Sequence, residues 1–341
     1  MAPAATPWLA RAALPLLLRL PPEAAHGLGL RGIKLLSRGW TAPVATAAMA
    51  VKAFGLHFAH PVGLAAGFDK NGDYLDALGA LGFSFIEIGT VTPRAQSGNP
   101  RPRLYRLRGA QALINRMGFN NRGADYVAAR LSGAKYRGVR GISIGKNADT
   151  PLERAVDDYL ACLRALYAVA DYFAINVSSP NTQGLRTLQS SDALAGIIEP
   201  LQEERERLSA RHGKRVPLLV KISPDLEEGE LQAMAASLRS HALDGAIATN
   251  TSTHIAGFEA ELGHAQGGGI SGRPLRDKAL ASLHTLRDAL GAEFPIIGVG
   301  GLMSSHDVQA RLDAGACLVQ LYTGFVYRGP ALLGECLQRL H

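Results

Sequence analysis

From residue 62 onward the chain alternates short apolar runs with longer stretches of helical period, and each run ends in glycine or polar residues. The runs begin near Val62, Phe83, Val139, Tyr172, Pro217, Asp244, Pro295 and Ala316, which makes eight. Their length and their β-branched and aromatic content mark them as buried strands. Helical stretches are expected over 73–81, 121–131, 151–170, 192–211, 227–241, 274–290, 304–313 and 329–340. Strands that alternate with helices pair in parallel, and eight such units predict an α/β fold, a closed (β/α)8 TIM barrel. An open doubly wound sheet is the second arrangement the pattern allows. An insertion over 91–109, with Pro93, Gly98, Pro100 and Pro102, is expected to rim the barrel mouth.

Barrels gather their functional groups at the carboxyl ends of the strands. Here those ends read Gly67-Phe68-Asp69-Lys70, Gly89-Thr90, Gly145-Lys146-Asn147, 176–182, Lys221, Thr249-Asn250-Thr251, Gly300-Gly301 and Tyr322-Thr323. The fourth is the richest: Asn176-Val177-Ser178-Ser179-Pro180-Asn181-Thr182 offers two carboxamides and three hydroxyls. Such a surface suits a flat, polar small molecule, although a capped strand-to-helix turn uses the same residue types. A scaffold has no need of lysines and carboxamides at its strand tips. Gly267-Gly268-Gly269-Ile270-Ser271-Gly272, Gly298-Val299-Gly300-Gly301 and Tyr322-Thr323-Gly324 add exposed amides beside helix starts, which attract a phosphate after strands seven and eight.

Composition narrows the classes. Of 341 residues 47% are hydrophobic and 19% charged, a globular balance that argues against disorder. Cys162, Cys317 and Cys336 have no CxxC spacing, and His57 with His60 matches no common metal motif, so neither a metal nor an iron-sulfur site is expected. Reduced thiols in a cytoplasmic chain account for the cysteines. The net charge of +7 is uneven, because Arg11, Arg19, Arg31, Lys34 and Arg38 stand against the single acid Glu23 in the first forty residues.

That N-terminal region carries Trp8, Leu9, Leu14, Leu16, Leu17, Leu18 and Leu20, interrupted by Arg11, Pro15 and Arg19. It is too short and too charged to cross a bilayer, and no small-residue cleavage site marks it as a signal peptide. After Pro21-Pro22 a second apolar-basic helix is expected. Two such helices suit a hairpin lying on anionic lipid, and equally a hairpin packed on the main domain. Residues 1–45 are therefore read as an extension and 46–341 as the barrel. Gly27-Leu28-Gly29-Leu30-Arg31-Gly32 fits GxGxxG without following a strand, so it is set aside as coincidence.

Five motifs in order resemble dihydroorotate dehydrogenase of the quinone-dependent, membrane-associated class (class 2), over nearly the whole chain. They are Ala66-Gly67-Phe68-Asp69-Lys70, Asn115-Arg116-Met117-Gly118-Phe119, 176–182 with Gly184-Leu185-Arg186, Ala248-Thr249-Asn250-Thr251, and 268–274. The resemblance implies an FMN site formed by Ala66, Gly67, Phe68, Asp69, Lys70, Thr90, Ser143, Asn176, Lys221, Thr249, Gly272, Gly301, Tyr322 and Thr323. Related sequences often carry asparagine where this chain has Ser143. Dihydroorotate would be held by Lys70, Asn115, Arg116, Met117, Gly118, Phe119, Asn176, Asn181, Asn250 and Thr251, with Ser179 as catalytic base. The reaction implied is oxidation of dihydroorotate to orotate in pyrimidine biosynthesis, with a membrane quinone as final acceptor. His26 and Arg106 would line the quinone path. The enzyme would sit peripherally on the cytoplasmic side of the cell membrane, with no nucleic-acid partner and no iron-sulfur subunit.

The chemistry suits these residues. Dihydroorotate loses a proton from C5 and a hydride from C6, and a serine hydroxyl needs a relay, through Thr182 or water, to accept that proton. Lys221 would offset negative charge on a reduced flavin. A flavin-free phosphate-binding isomerase and a non-catalytic membrane-surface module are the competing readings, and bleaching of a bound flavin by dihydroorotate separates all three.

Overall fold

The computed structural model describes residues 6–40, 42–43, 45–255, 257–258 and 267–340, with backbone alone for residues 6–11, 38 and 191. Two helices, α1 (Thr6–Leu17) and α2 (Pro22–Leu36), lead into a short hairpin of β1 (Val51–Ala53) and β2 (Leu56–Phe58). Then come β3 (Val62–Leu64), α3 (Leu75–Gly79), β4 (Phe85–Val91), β5 (Leu104–Leu107), β6 (Ala112–Asn115), α4 (Ala124–Ser132), β7 (Val139–Ile144) and α5 (Ala155–Leu166). Next are β8 (Tyr172–Asn176), α6 (Ser191–His212), β9 (Leu218–Ile222), α7 (Glu228–Ser240), β10 (Gly245–Ala248) and β11 (Gly269–Gly272). The chain finishes with α8 (Arg276–Leu290), β12 (Ile296–Val299), α9 (Ser305–Asp313), β13 (Leu318–Leu321), α10 (Thr323–Arg328) and α11 (Pro330–Leu340).

Strands β3, β4, β7, β8, β9, β10, β12 and β13 pair in parallel in that order, and β13 closes on β3. This is the closed barrel the eight runs predict, and the open sheet is excluded. Helices cover one side of each strand and the barrel interior the other, so β4, β8 and β9 are buried at every residue. Alternation sorts the side chains: Ile86, Ile88, Phe173, Ile175, Leu218 and Val220 meet the helices, while Phe85, Tyr172, Ala174 and Leu219 fill the interior. The same period sends Glu87, Ser143, Asn176, Lys221 and Gln320 inward. At the amino end of the barrel Phe58 of the hairpin packs edge-on against Phe85, ring centroids 5.3 Å apart. Gly141 makes room there, since a Cβ would fall 2.1 Å from the Tyr172 ring.

Three details differ from expectation. The insertion is more than a rim, because β5 and β6 form a hairpin that pairs with β11 in a three-stranded antiparallel sheet, with Leu104 and Gly269 both opposite Asn115. The glycine-rich 267–272 segment is thus largely strand, followed by a 3-10 turn at Arg273–Leu275 before α8 starts. The edge of β6 supplies the hydrogen bonds that a free loop would lack. Helix α3 is shorter than 73–81 because the Asp69 carboxylate accepts the N–H groups of Asn71, Gly72, Asp73 and Tyr74 and holds that turn out of the helix. Finally, α1 runs through Pro15, which falls in its last turn and costs only one intrahelical hydrogen bond.

Candidate active site

A cavity of about 150 Å3 opens at the carboxyl ends of the barrel strands. Its floor comes from inward-facing strand positions. Lys221 at the tip of β9 sits 3.4 Å from the Glu87 carboxylate of β4. Glu87 also accepts hydrogen bonds from Tyr172 Oη at 3.0 Å and from Gln320 Nε2 at 2.7 Å. Beside them the Asn176 amide donates to Thr90 Oγ1 at 2.8 Å, and Thr90 Oγ1 lies 2.9 Å from Ser143 Oγ. Ser143 is fully buried behind Thr90 and forms no part of the cavity wall.

Carboxamides form one wall. Asn181 donates to Asn115 Oδ1 at 2.9 Å, and Asn115 donates to the Gly269 carbonyl at 3.2 Å, which ties the loop after β8 to the three-stranded sheet. Asn250 donates to Ser178 Oγ at 3.0 Å, and its Oδ1 accepts the Thr251 N–H at 2.8 Å. Ser179, 5% exposed, lines the cavity among these amides and accepts the Asn181 N–H at 3.3 Å. Met117, Gly118 and Phe119 also line it, whereas the hydrogen bonds of Arg116 run through its backbone, to Arg103 and Asn99.

The opposite wall is built from glycines and short polar side chains. Gly272 and Gly301 have φ of +94° and +73°, and a Cβ would fall 2.3 Å from the Gln111 carbonyl oxygen at the first and 2.2 Å from Arg276 Cα at the second. Only glycine meets both demands. Thr249, Tyr322 and Thr323 complete this side, with Thr323 Oγ1 2.8 Å from Ser271 Oγ. Ala66, Gly67 and Lys70 line the cavity from the loop after β3, where Lys70 Nζ donates to the Gly67 carbonyl at 2.8 Å. Burial, aided by the Arg103 charge, lowers the Lys70 pKa to about 8. Asp69 and Phe68 from the same motif point elsewhere: Asp69 caps the turn already described, and the Phe68 ring packs edge-on to His26 at 5.0 Å and Phe325 at 5.3 Å.

Phe68 borders a second cavity of about 270 Å3 between the N-terminal helices and the barrel, whose lining is mostly apolar. Leu104, Leu113 and Tyr322 line both cavities and form the partition. His26 and Arg106 are brought together there. His26 Nε2 lies 2.9 Å from the Phe68 carbonyl, which can only accept, so Nε2 carries the proton. Burial and the Lys70 charge lower the His26 pKa to about 4, so the ring is neutral at pH 7. Arg106 donates to the Leu18 and Leu20 carbonyls past the end of α1, at 2.8 and 3.0 Å, and Arg108 also bonds Leu18. A cation there complements the helix dipole. Glu23 of α2 binds Arg103 of the insertion at 2.8 Å, so the hairpin is tied to the sheet over the mouth. The 27–32 glycines lie within α2, away from any strand-turn-helix unit.

Sequence reasoning missed three groups. Glu87 is the single charged residue of β4 and Gln320 the single polar residue of β13, and strand alternation would have turned both inward. Asp225, after β9, receives Arg186, Ser252, Thr253 and Lys278 and so joins the loops after β8, β9 and β10. Burial works to raise its pKa, but the Lys278, Ser252, Thr253 and Arg186 bonds hold it well below the usual carboxylate range. No spacing rule announces such a junction. Lys146, by contrast, is buried and bonds the Asn147 and Thr150 carbonyls, outside the cavity wall.

The family model for dihydroorotate dehydrogenase matches residues 48–341. A dihydroorotate dehydrogenase (quinone) of Flavobacterium lutescens is 51% identical over 330 residues, 96% of this chain and 94% of the relative. That of Azotobacter vinelandii is 50% identical over 95% of this chain and 94% of its own length. The chain belongs to the quinone-dependent dihydroorotate dehydrogenases. Among solved structures, an Eimeria tenella dihydroorotate dehydrogenase in complex with ferulenol superposes with a TM-score of 0.85 at 37% identity, covering 94% of this chain and 90% of that one. Dihydroorotate dehydrogenases are flavin-dependent, which sets aside both the flavin-free isomerase and the non-catalytic module. Among the described residues no helix is long and apolar enough to cross a membrane, and no cluster of three or more His, Cys, Asp or Glu could hold a metal.

Proposed function

We propose that the mouth cavity holds FMN and dihydroorotate together and that the apolar cavity behind Tyr322 takes the quinone. The family reaction oxidises dihydroorotate to orotate, a step of pyrimidine biosynthesis, with a quinone as final electron acceptor. The observation that carries the assignment is the convergence of Lys221, Thr90 and Asn176 on one floor, beneath a wall of Asn115, Asn181 and Asn250 that includes Ser179.

The residues present fit FMN. Gln320 Oε1 is buried without a hydrogen-bond partner while its residue lines the cavity, so the floor has an acceptor free for a polar ring edge. Gly272 and Gly301 form a side-chain-free cradle near the start of α8, suited to a phosphate. Ala66, Gly67, Thr249, Tyr322 and Thr323 would hold the remainder, with Ser143 and Asp69 supporting from behind. When bound, FMN supplies the acceptor for the hydride that leaves C6.

The chain's own groups do the rest. The four asparagines each donate and accept, matching the alternating C=O and N–H edge of a dihydropyrimidine, and Lys70 faces the anionic carboxylate. Ser179 accepts the C5 proton and passes it on through Thr182 or water. Lys221 would set a positive charge in the cavity floor beside the flavin, preorganised for the charge that develops there. Phe119 and the three-stranded sheet exclude bulk water from the reacting atoms.

Residues 1–45 form the quinone-access extension and 46–341 the catalytic barrel in this reading, residues 1–5, 41 and 44 lying outside the described set. Leu16, Leu28 and Leu35 are 63%, 47% and 78% exposed, and Arg19, Arg31 and Lys34 are exposed with them. Such a surface suits peripheral binding to anionic lipid on the cytoplasmic face. The test is the colour of the purified chain. A yellow protein that releases FMN and bleaches with dihydroorotate without oxygen supports the reading; a colourless protein, or a yellow one that dihydroorotate leaves unchanged, refutes it.

A further inference from the structure

We propose that Glu87 is a positioning residue that balances the charge of Lys221 and fixes the orientation of the Gln320 amide, and so sets how strongly the barrel floor favours negative charge on the flavin. The inference rests on the reading that the cavity holds FMN.

Glu87 is the only charged residue of β4, Phe85–Val91, and it has no exposed surface. A carboxyl group so buried needs hydrogen-bond partners, and Glu87 has them. Lys221 Nζ at 3.4 Å and Gln320 Nε2 at 2.7 Å are both donors. Gln320 Nε2 also donates to Tyr172 Oη at 3.2 Å, so the Tyr172 proton goes to Glu87 at 3.0 Å. Three donors thus converge on this one carboxyl group. Burial and the Glu87 charge accordingly raise the Tyr172 pKa.

Two consequences reach the cavity. Lys221 is 5% exposed, and the Glu87 carboxylate 3.4 Å away balances its charge inside the barrel. The Gln320 nitrogen is committed downward, to Glu87 and Tyr172, which leaves its oxygen as the group without a protein partner. Lys221 of β9 and Tyr172 of β8 are the titratable groups facing Glu87. The residues of β3, β10 and β12 include none, Arg140 of β7 pairs with Asp171 outside the barrel, and Lys70 is the other cation lining the cavity. Glu87 does not line the cavity, so its influence passes through Lys221 and Gln320, which do.

The experiment uses the FMN-loaded full-length protein and two readouts besides activity: affinity for sulfite, whose addition to the flavin leaves negative charge on the ring, and the flavin reduction potential against pH. In Glu87→Gln the Lys221 charge is unbalanced. Sulfite should bind roughly tenfold more tightly near about pH 6. The flavin reduction potential should rise with it, because the unbalanced ammonium favours negative charge on the ring. Glu87→Asp, which keeps the charge, should restore the wild-type profile even if it melts earlier. Tyr172→Phe removes one donor and leaves the carboxylate charge less damped, so it should move both readouts the opposite way and by less, which decides the matter should Glu87→Gln fail to fold. Sulfite affinity and potential that match the wild type at every pH, in whichever of these variants loads FMN, would reduce Glu87 to a core filler and overturn the proposal. A wild-type protein purified without flavin would overturn the FMN reading instead, and this inference with it.

Discussion

Gly301→Ala tests the phosphate seat. Gly301 has a φ of +73°, and left-handed backbone costs a residue with a Cβ about 1–2 kcal/mol. The added Cβ would also lie 2.2 Å from Arg276 Cα and 2.6 Å from Arg276 N, inside any tolerated contact and against backbone that cannot swing aside. Either the loop after β12 or the first turn of α8 must move, and overpacking of this kind costs about 1–3 kcal/mol. If FMN needs the undisturbed loop, about 2–5 kcal/mol appears in its binding, so its Kd should rise by at least about thirtyfold. The assay is reconstitution of flavin-free protein with FMN, followed by quenching of flavin fluorescence. Gly196→Ala, on an exposed face of α6 with nothing within 4 Å of its Cβ, is the control and should bind FMN like the wild type. A folded Gly301→Ala protein with wild-type FMN affinity would refute the placement of the phosphate at this loop.

Three further outcomes are expected. Ser179→Ala should slow flavin reduction by dihydroorotate by roughly 10² to 10⁴ while FMN stays bound, as measured by anaerobic stopped flow; an unchanged rate rules out Ser179 as the base. Removal of residues 1–40 should abolish quinone reduction and leave bleaching by dihydroorotate intact, whereas equal loss of both would make the hairpin structural, through Glu23–Arg103 and His26–Phe68. Lys70 has a pKa lowered from 10.5 to about 8, so its charge is lost as pH rises through 8 and orotate, an anion, should bind more weakly above it. Because the unfolded chain then holds more protons than the folded one, the ligand-free protein gains stability between pH 8 and 10.5. Lys70→Met should remove both dependences, and an orotate Kd that is flat with pH in the wild type would contradict the assignment.

The architecture was legible because strand and helix periods are local. All eight barrel strands begin within two residues of where the apolar runs start. The positions of Lys221, Asn176, Asn181, Asn250 and Ser179 were legible for the same reason, since barrel topology tells which end of each strand faces the mouth; Asn115, on β6 outside the barrel, was legible through the family resemblance alone. What stayed hidden depends on contacts distant in sequence. The β5–β6 hairpin finds its third strand more than 150 residues later, where a glycine-rich segment reads as a loop. The Asp225 junction joins side chains from four separate segments, and Phe68 turns away from its own motif because the N-terminal helices offer it an aromatic partner.

The most direct test of the central claim is a crystal structure with FMN and orotate bound. The flavin ring should lie over Lys221 with its phosphate at Gly272 and Gly301, and orotate should sit among Asn115, Asn176, Asn181 and Asn250 with Ser179 Oγ nearest its C5. Orotate bound away from that wall, or Ser179 on the far side from C5, would contradict the account.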